Sequence, residues 1–292
     1  MQISRPTNIL FHLVFLILSL FAIVPMVFVV IISFSSQKSI AQYGYQFFPK
    51  SWSTEGYQFI FNAGSAILQS YGVSIVVTVV GVLIGITLIS TYAYVLSRKN
   101  YPYRKFFTIA ILIPMLFSGG IIANFLLVTS VLHLADTIWA LILPMSVSPI
   151  YVFIMKSFFI SSVPDAIIES AKIDGAGEFR TFLSIILPIS KPGLATIALF
   201  LTLGYWNDWF NAMMYINNQD LVPIQYFLMR IENNLSVLQN MGGQAASSIV
   251  NDIPSESVQM AIAVLVVVPI TFVYPFFQRY FTGGLTLGAI KG

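Results

Sequence analysis

Two histidines, His12 and His133, and no cysteine leave this 292-residue chain few side chains able to do covalent or metal chemistry. Without cysteine there is no disulfide framework, no thiolate metal site and no thiol nucleophile. Each histidine stands alone, and each is read as a packing or interfacial residue rather than a ligand or base. No G-x-x-x-x-G-K-[ST] occurs, so nothing here would cradle a nucleotide phosphate. H-E-x-x-H and G-x-S-x-G are absent too. The expectation is a chain with no catalytic residue, no metal and no cofactor of its own.

What remains chemically distinctive is a charged segment at residues 161–192, between two apolar stretches. Ser162 and Asp165 have the S-x-x-D spacing of a capping box, with Pro164 in the first turn. Ala166, Ile167, Ile168, Ala171 and Ile173 supply an apolar stripe. Glu169 and Lys172 sit at i,i+3 on the polar side. Gly175 offers the left-handed exit that ends a helix. The reading is a short amphipathic helix at about 163–175, then a turn and a second helix. A stripe with no partner in its own chain suits docking into a groove on another protein.

The elements that must hold this segment follow from composition. The chain is 57% hydrophobic and 9% charged, with mean hydropathy +0.85. A soluble domain would be about a quarter charged. The charges cluster between long uncharged runs, as bilayer-spanning helices of roughly 20 apolar residues require. The runs are continuous, which excludes the alternating strands of a barrel. The expected fold is all-α, one polytopic membrane domain over 1–292. Its six spans lie at about 9–34, 70–96, 106–130, 137–159, 182–206 and 257–281. Residues 9–34 are too long and uncharged for a cleaved signal peptide, and are read as a retained span. Pro114 and Gly119-Gly120 interrupt the third span, and Lys191 interrupts the fifth. Placing both termini in the cytoplasm puts eleven Lys and Arg inside and three (Lys38, Lys50, Arg230) outside. The segment 160–181 is then cytoplasmic, and 217–256 is a large outer loop. Membrane lipid is the expected surroundings. The basic residues, with a pI near 9.0, form no face for nucleic acid.

The charged segment resembles the EAA motif of membrane subunits of binding-protein-dependent ABC importers. That pattern runs E-A-A, two residues, D-G-A, five residues, F, then I-x-L-P and a further P. Glu169, Ala171, Asp174, Gly175, Ala176, Phe182, Ile185, Leu187, Pro188 and Pro192 fall in its register. Ser170 replaces the first alanine. The resemblance implies a type I importer transmembrane domain whose coupling helix sits in a cleft of a partner ATPase. ATP and Mg would then be bound by that partner. The implied ATPase-coupling residues are Glu169, Ser170, Ala171, Asp174, Gly175, Ala176, Phe182, Pro188 and Pro192.

Over the whole chain the pattern is similar to the smaller membrane subunit of maltose-type carbohydrate importers. That likeness implies a second, homologous permease forming a heterodimer, an extracytoplasmic solute-binding protein, and a prokaryotic cytoplasmic membrane. It also implies that the tail 283–292 reaches between ATPase subunits, and that loop 217–256 probes the docked binding protein. The run Tyr205-Trp-Asn-Asp-Trp-Phe-Asn211 further resembles importers of oligosaccharides.

Sugars are bound by aromatic faces and polar edges. Tyr92, Asn124, Trp206, Asn207, Trp209 and Asn211 are therefore the substrate-path candidates, against the plainer readings of interfacial belt and interhelical hydrogen bond. The alternative function is an ion-coupled secondary transporter of a small polar solute. Such proteins place ionisable groups within the membrane, whereas the second and third spans contain no Asp, Glu, Lys or Arg and the sixth carries only Arg279, close to its inner end.

Overall fold

The computed structural model describes residues 5–62, 64–240 and 255–289, and every regular element among them is a helix. α1 (Arg5–Ser33) is a single apolar helix that carries Pro25. Two short helices follow, α2 (Gln37–Tyr43) and α3 (Glu55–Phe61), then the 33-residue α4 (Ser65–Ser97). α5 (Arg104–Leu116) and α6 (Gly120–Leu126) come next, α6 running on into a wide π turn at Leu127–Val131. α7 (Ile138–Ile142) and α8 (Pro149–Ser162) are separated by a 3-10 turn at Leu143–Met145. α9 (Asp165–Ile173) and α10 (Glu178–Thr181) form the charged segment. A π turn at Phe182–Ile186 leads to α11 (Leu187–Ile189) and α12 (Lys191–Trp206). α13 (Phe210–Tyr215), α14 (Ile224–Asn240) and α15 (Ser255–Ala289) complete the described chain.

Three single helices are long and apolar enough to cross a bilayer: Ile9–Ser33, Ser65–Ser97 and Ser255–Tyr280. They match the first, second and sixth expected spans. The other three expected spans are bent pairs, so the count reaches six only if each pair is one span. Arg104–Leu116 and Gly120–Val131 meet at 118°, which is no simple crossing. Phe117 is extended there and Gly120 has φ +74°, a left-handed conformation that glycine adopts without strain. Pro114 lies inside α5 without ending it. Ile138–Met145 and Pro149–Ser162 meet at 50°, and Glu178–Ile189 and Lys191–Trp206 at 80°. In the last pair the helical chain starts at Glu178 rather than near 182, and the bend falls at Ser190. There Pro192, in the first turn of α12, has no N–H to carry the earlier helix across.

Contacts divide the chain into two compact units. One comprises α1–α3, the first turn of α4, α14 from Leu228 onward and α15 to Pro269. In it Ser33 and Tyr57 share a 2.8 Å hydroxyl hydrogen bond, and the Tyr45 hydroxyl donates to Glu256. Most of α1 is exposed.

The larger unit holds the remainder, with a core that includes Ile89, Leu96, Leu141, Phe159, Ile186 and Ile197. α4 and α12 approach very closely in it. A Cβ on Gly81 would stand 2.5 Å from a ring carbon of Tyr205, whose hydroxyl donates to the Ile142 carbonyl at 2.7 Å. Small residues permit such close helix packing where water offers no driving force.

Loop 217–256 is not irregular throughout, because it contains all of α14 (Ile224–Asn240). Its residues 241–254, with Gly242-Gly243, lie outside the described residues. So do 290–292 of the expected tail, the helix of α15 running on to Ala289.

Candidate functional site: the α9–α10 segment

α8 stops at Ser162 because Val163 precedes a proline. Its backbone is extended, at φ −115° and ψ 100°. Pro164 is then the residue that starts α9. This overturns the expected capping box. Ser162 still belongs to α8, and no side chain caps α9. Asp165 becomes the first residue of α9, where a carboxylate suits the positive end of a helix. Its Oδ2 accepts a 2.9 Å hydrogen bond from Lys99 Nζ in the turn after α4. That bond and the lysine's charge hold the Asp165 carboxyl below the usual carboxylate range.

α9 ends as the sequence implies. Gly175 has φ +79°. Its N–H bonds the Lys172 carbonyl at 3.0 Å, and the Ala176 N–H bonds the Ala171 carbonyl at 2.9 Å. These are the two bonds of a Schellman ending. A Cβ at Gly175 would meet nothing within 4 Å, so only the backbone conformation demands glycine.

Ile168 and Ala171 are buried, whereas Glu169, Ser170 and Asp174 are exposed. Ser170 Oγ donates back to the Ile167 carbonyl at 3.0 Å, so serine fits the alanine position without an unmet donor. Two large apolar side chains beside the turn are left in the open, Ile173 at 86% and Phe179 at 75% exposure. Phe182 is buried, its ring 5.0 Å from that of Tyr94 in α4. Pro188 and Pro192 stand in the first turns of α11 and α12, on either side of the 80° bend. At that bend Ser190 is buried, and its hydroxyl has no hydrogen-bond partner among the described residues.

Lys172 does not turn to Glu169. Its Nζ pairs with Glu178 Oε1 at 2.7 Å, across the Gly175 turn. Glu178 Oε2 accepts from the Tyr94 hydroxyl at 2.5 Å, and the Arg98 guanidinium lies 5.1 Å above the Tyr94 ring. The hydrogen bond from Lys172, and then that from Tyr94, hold the Glu178 carboxyl low. These residues border a cleft of about 630 Å³ between α9 and the turn after α4. The arrangement holds and orients an exposed helix. No group of three or more metal-ligating side chains occurs among the described residues. The contacts to Tyr94 and Lys99 lie 84 and 66 positions away in sequence, beyond any spacing rule.

The substrate-path candidates separate. Tyr92, near the end of α4, donates its hydroxyl to the Phe107 carbonyl at 2.8 Å. Asn124 is exposed on α6. The other four cluster where α12 gives way to α13. Trp206 is buried, with its ring 6.3 Å from Tyr71. Asn207 donates to the Leu203 carbonyl at 2.8 Å and accepts from Gln225 at 3.2 Å. Asn211 gives both its backbone and its side-chain N–H to Asp208, at 3.1 and 2.8 Å. Trp209 is partly exposed against Phe210. Sequence reasoning did not single out Asp136, whose carboxylate accepts the backbone N–H groups of Asn217 and Asn218 and is held low by them. Its positive φ of 56° is a conformation that Asp tolerates better than most residues.

Comparison with known proteins places this geometry in context. Residues 85–286 match the family described as "Binding-protein-dependent transport system inner membrane component". The chain is 38% identical to Protein LplC of Bacillus subtilis over 271 residues, 92% of this chain and 90% of that one. It is 35% identical to the polygalacturonan/rhamnogalacturonan transport system permease protein YtcP of the same organism, over 99% of both chains. Among solved structures it resembles a chain of a bacterial ABC transporter involved in the import of the acidic polysaccharide alginate. The TM-score there is 0.79 at 27% identity, covering 96% of this chain and 99% of that one. With its apolar helices and its EAA register, the chain belongs to the family of inner-membrane permease components of binding-protein-dependent transport systems.

Proposed function

We propose that this chain is one permease subunit of an ATP-driven importer that moves an oligosaccharide across the cytoplasmic membrane of a prokaryote. It works beside a second, homologous permease, two ATPase subunits that bind ATP and Mg, and an extracytoplasmic binding protein. Both termini and the α9–α10 segment face the cytoplasm. The observation that carries this reading is α9 itself. It is a Schellman-ended helix that keeps Glu169, Ser170 and Asp174 accessible and leaves Ile173 and Phe179 uncovered next to them. Such a surface fits a groove on a partner.

In this reading Glu169, Ser170, Ala171, Asp174, Gly175 and Ala176 form the docking element. Phe182, Pro188 and Pro192 belong to the bent lever that joins it to α12. Closure of the ATPases on ATP moves α9, and the bend at Ser190 passes that motion to the membrane helices. The cluster Trp206, Asn207, Trp209 and Asn211 is the better part of the substrate path, since these four lie together where α12 gives way to α13. Tyr92 and Asn124 stand apart from it. Loop 217–256 faces the binding protein, and the end of α15 with the following tail reaches toward the ATPases.

The test is ATP-dependent uptake by the full complex in proteoliposomes. An oligogalacturonide is a suitable probe, because one relative is named for polygalacturonan transport and a similar solved structure for alginate import. The expected result is uptake that needs ATP inside and the binding protein outside, lost with Glu169→Lys or Gly175→Val. Uptake that ignores ATP and collapses with a protonophore would establish the ion-coupled alternative instead.

A further inference from the structure

We propose that Glu178 is a positioning residue that ties the ATPase-facing helix α9 to the second span, α4, so that the two move as one body. This deepens the docking reading above and rests on it for the direction of the motion. Three elements meet at this one carboxylate. Lys172 reaches Oε1 from the last turn of α9, Tyr94 reaches Oε2 from α4, and Glu178 itself opens α10. The carboxylate thus closes the Gly175 turn from one side and anchors it to a membrane helix from the other.

The Tyr94 ring is buried and wedged against Phe182, so its hydroxyl has little freedom to follow a wandering partner. A second tie, Lys99 to Asp165, holds the opposite end of α9 to the turn that follows α4. Two ties at the two ends of a nine-residue helix fix its direction as well as its position.

Energetics point to the tyrosine bond as the decisive contact. Both ion pairs are about half exposed or more and would contribute little alone. A hydrogen bond from a buried donor to a carboxylate is charge-assisted, and stronger. The consequence is a second route for motion. Besides the lever through α10 and α11 into α12, a displacement of α9 pulls α4 directly. Because α4 packs on α12 through Gly81 and Tyr205, the two routes act on one pair of helices.

The chain has no cysteine, so introduced cysteines are unique within it, and the partner subunits are used in cysteine-free form. Spin labels at Leu88→Cys on α4 and Ala166→Cys on α9 are measured in the full complex, with and without a non-hydrolysable ATP analogue. Both positions are exposed. The expected result is one narrow distance that the analogue does not change. Tyr94→Phe keeps the buried ring and removes only the hydroxyl, and it should add a second, broader population that shifts with the analogue. Glu178→Ala should do the same, and Tyr94→Phe/Glu178→Ala should be no worse than the more severe single variant. An unchanged narrow distance in Tyr94→Phe overturns the proposal, as does a wild-type distance that moves with the analogue. A lowered melting temperature with an unchanged distance shows a merely structural role and also overturns it. Failure of the docking reading would appear separately, as undiminished copurification of the ATPase subunits with a Gly175→Val chain.

Discussion

The α9–α10 segment and the junction between α4 and α12 lie in the same compact unit yet are built on opposite plans. At the junction, Gly81 admits the Tyr205 ring, and the buried hydroxyl of Tyr205 is committed to a backbone carbonyl. Nothing there can be displaced without a clash or a lost hydrogen bond. In the α9–α10 segment the polar pairs are half exposed, the turn around Gly175 is open, and two large apolar side chains face outward. One region spends its residues on internal fit. The other leaves fit to be completed by something else. The contrast separates substitutions that should damage the protein from those that should damage only its coupling.

The largest effect is expected from Gly81→Leu, which forces side-chain atoms into the Tyr205 ring. Overpacking of this kind costs about 3 kcal/mol, read as a fall in melting temperature and a loss of assembled complex. Wild-type stability in this variant would break the distinction at its strongest point. Next is Tyr205→Phe, which leaves the Ile142 carbonyl without its partner, at a cost of about 1–2 kcal/mol. Third is Gly175→Ala. The left-handed conformation costs a side-chain-bearing residue about 1–2 kcal/mol locally, yet no atom obstructs the new methyl. Melting should therefore fall no further than in Tyr205→Phe, while ATP-driven uptake falls much more. Equal losses in stability and uptake would erase the contrast.

The smallest effect concerns pH. Asp165 and Glu178 both have carboxyls held below the ordinary range by their lysine partners, with Tyr94 adding to the effect on Glu178. A depressed carboxylate contributes its stabilisation fully above the unfolded value, and loses it as pH falls through the folded one. The α4–α9 label distance should therefore be the same at pH 7 and pH 5, and should broaden only below about pH 4. Broadening already at pH 6 would mean that other groups hold α9 in place.

Legibility in the sequence follows the range of the interactions. The first, second and sixth spans could be read because apolar length alone specifies them. The end of α9 could be read because a left-handed exit needs glycine at one defined place. The start of α9 was misread. Ser162 and Asp165 have the spacing of a cap, but Val163-Pro164 takes the corner and leaves Ser162 in α8. The bends at Phe117–Gly119 and at Ser190 were legible as interruptions and not as angles. An angle is set by what each half packs against. Likewise Lys172 sits at good spacing from Glu169 and pairs with Glu178, because the Gly175 turn folds α10 back within reach. The Tyr94, Lys99 and Asp136 contacts span 66 to 84 positions and leave no trace in local spacing.

The uncovered Ile173 and Phe179 also bear on how a cell makes this protein. In the proposed topology a newly synthesised copy carries two bulky apolar side chains on a turn in the cytoplasm, of the kind that chaperones and proteases read as unfinished. Their burial by a partner would remove that mark. Subunit supply would then be matched by the lifetime of the unpaired chain as well as by the rate of its synthesis. Pulse-labelled chain should survive longer when the ATPase is co-expressed, and Phe179→Ser should weaken that dependence.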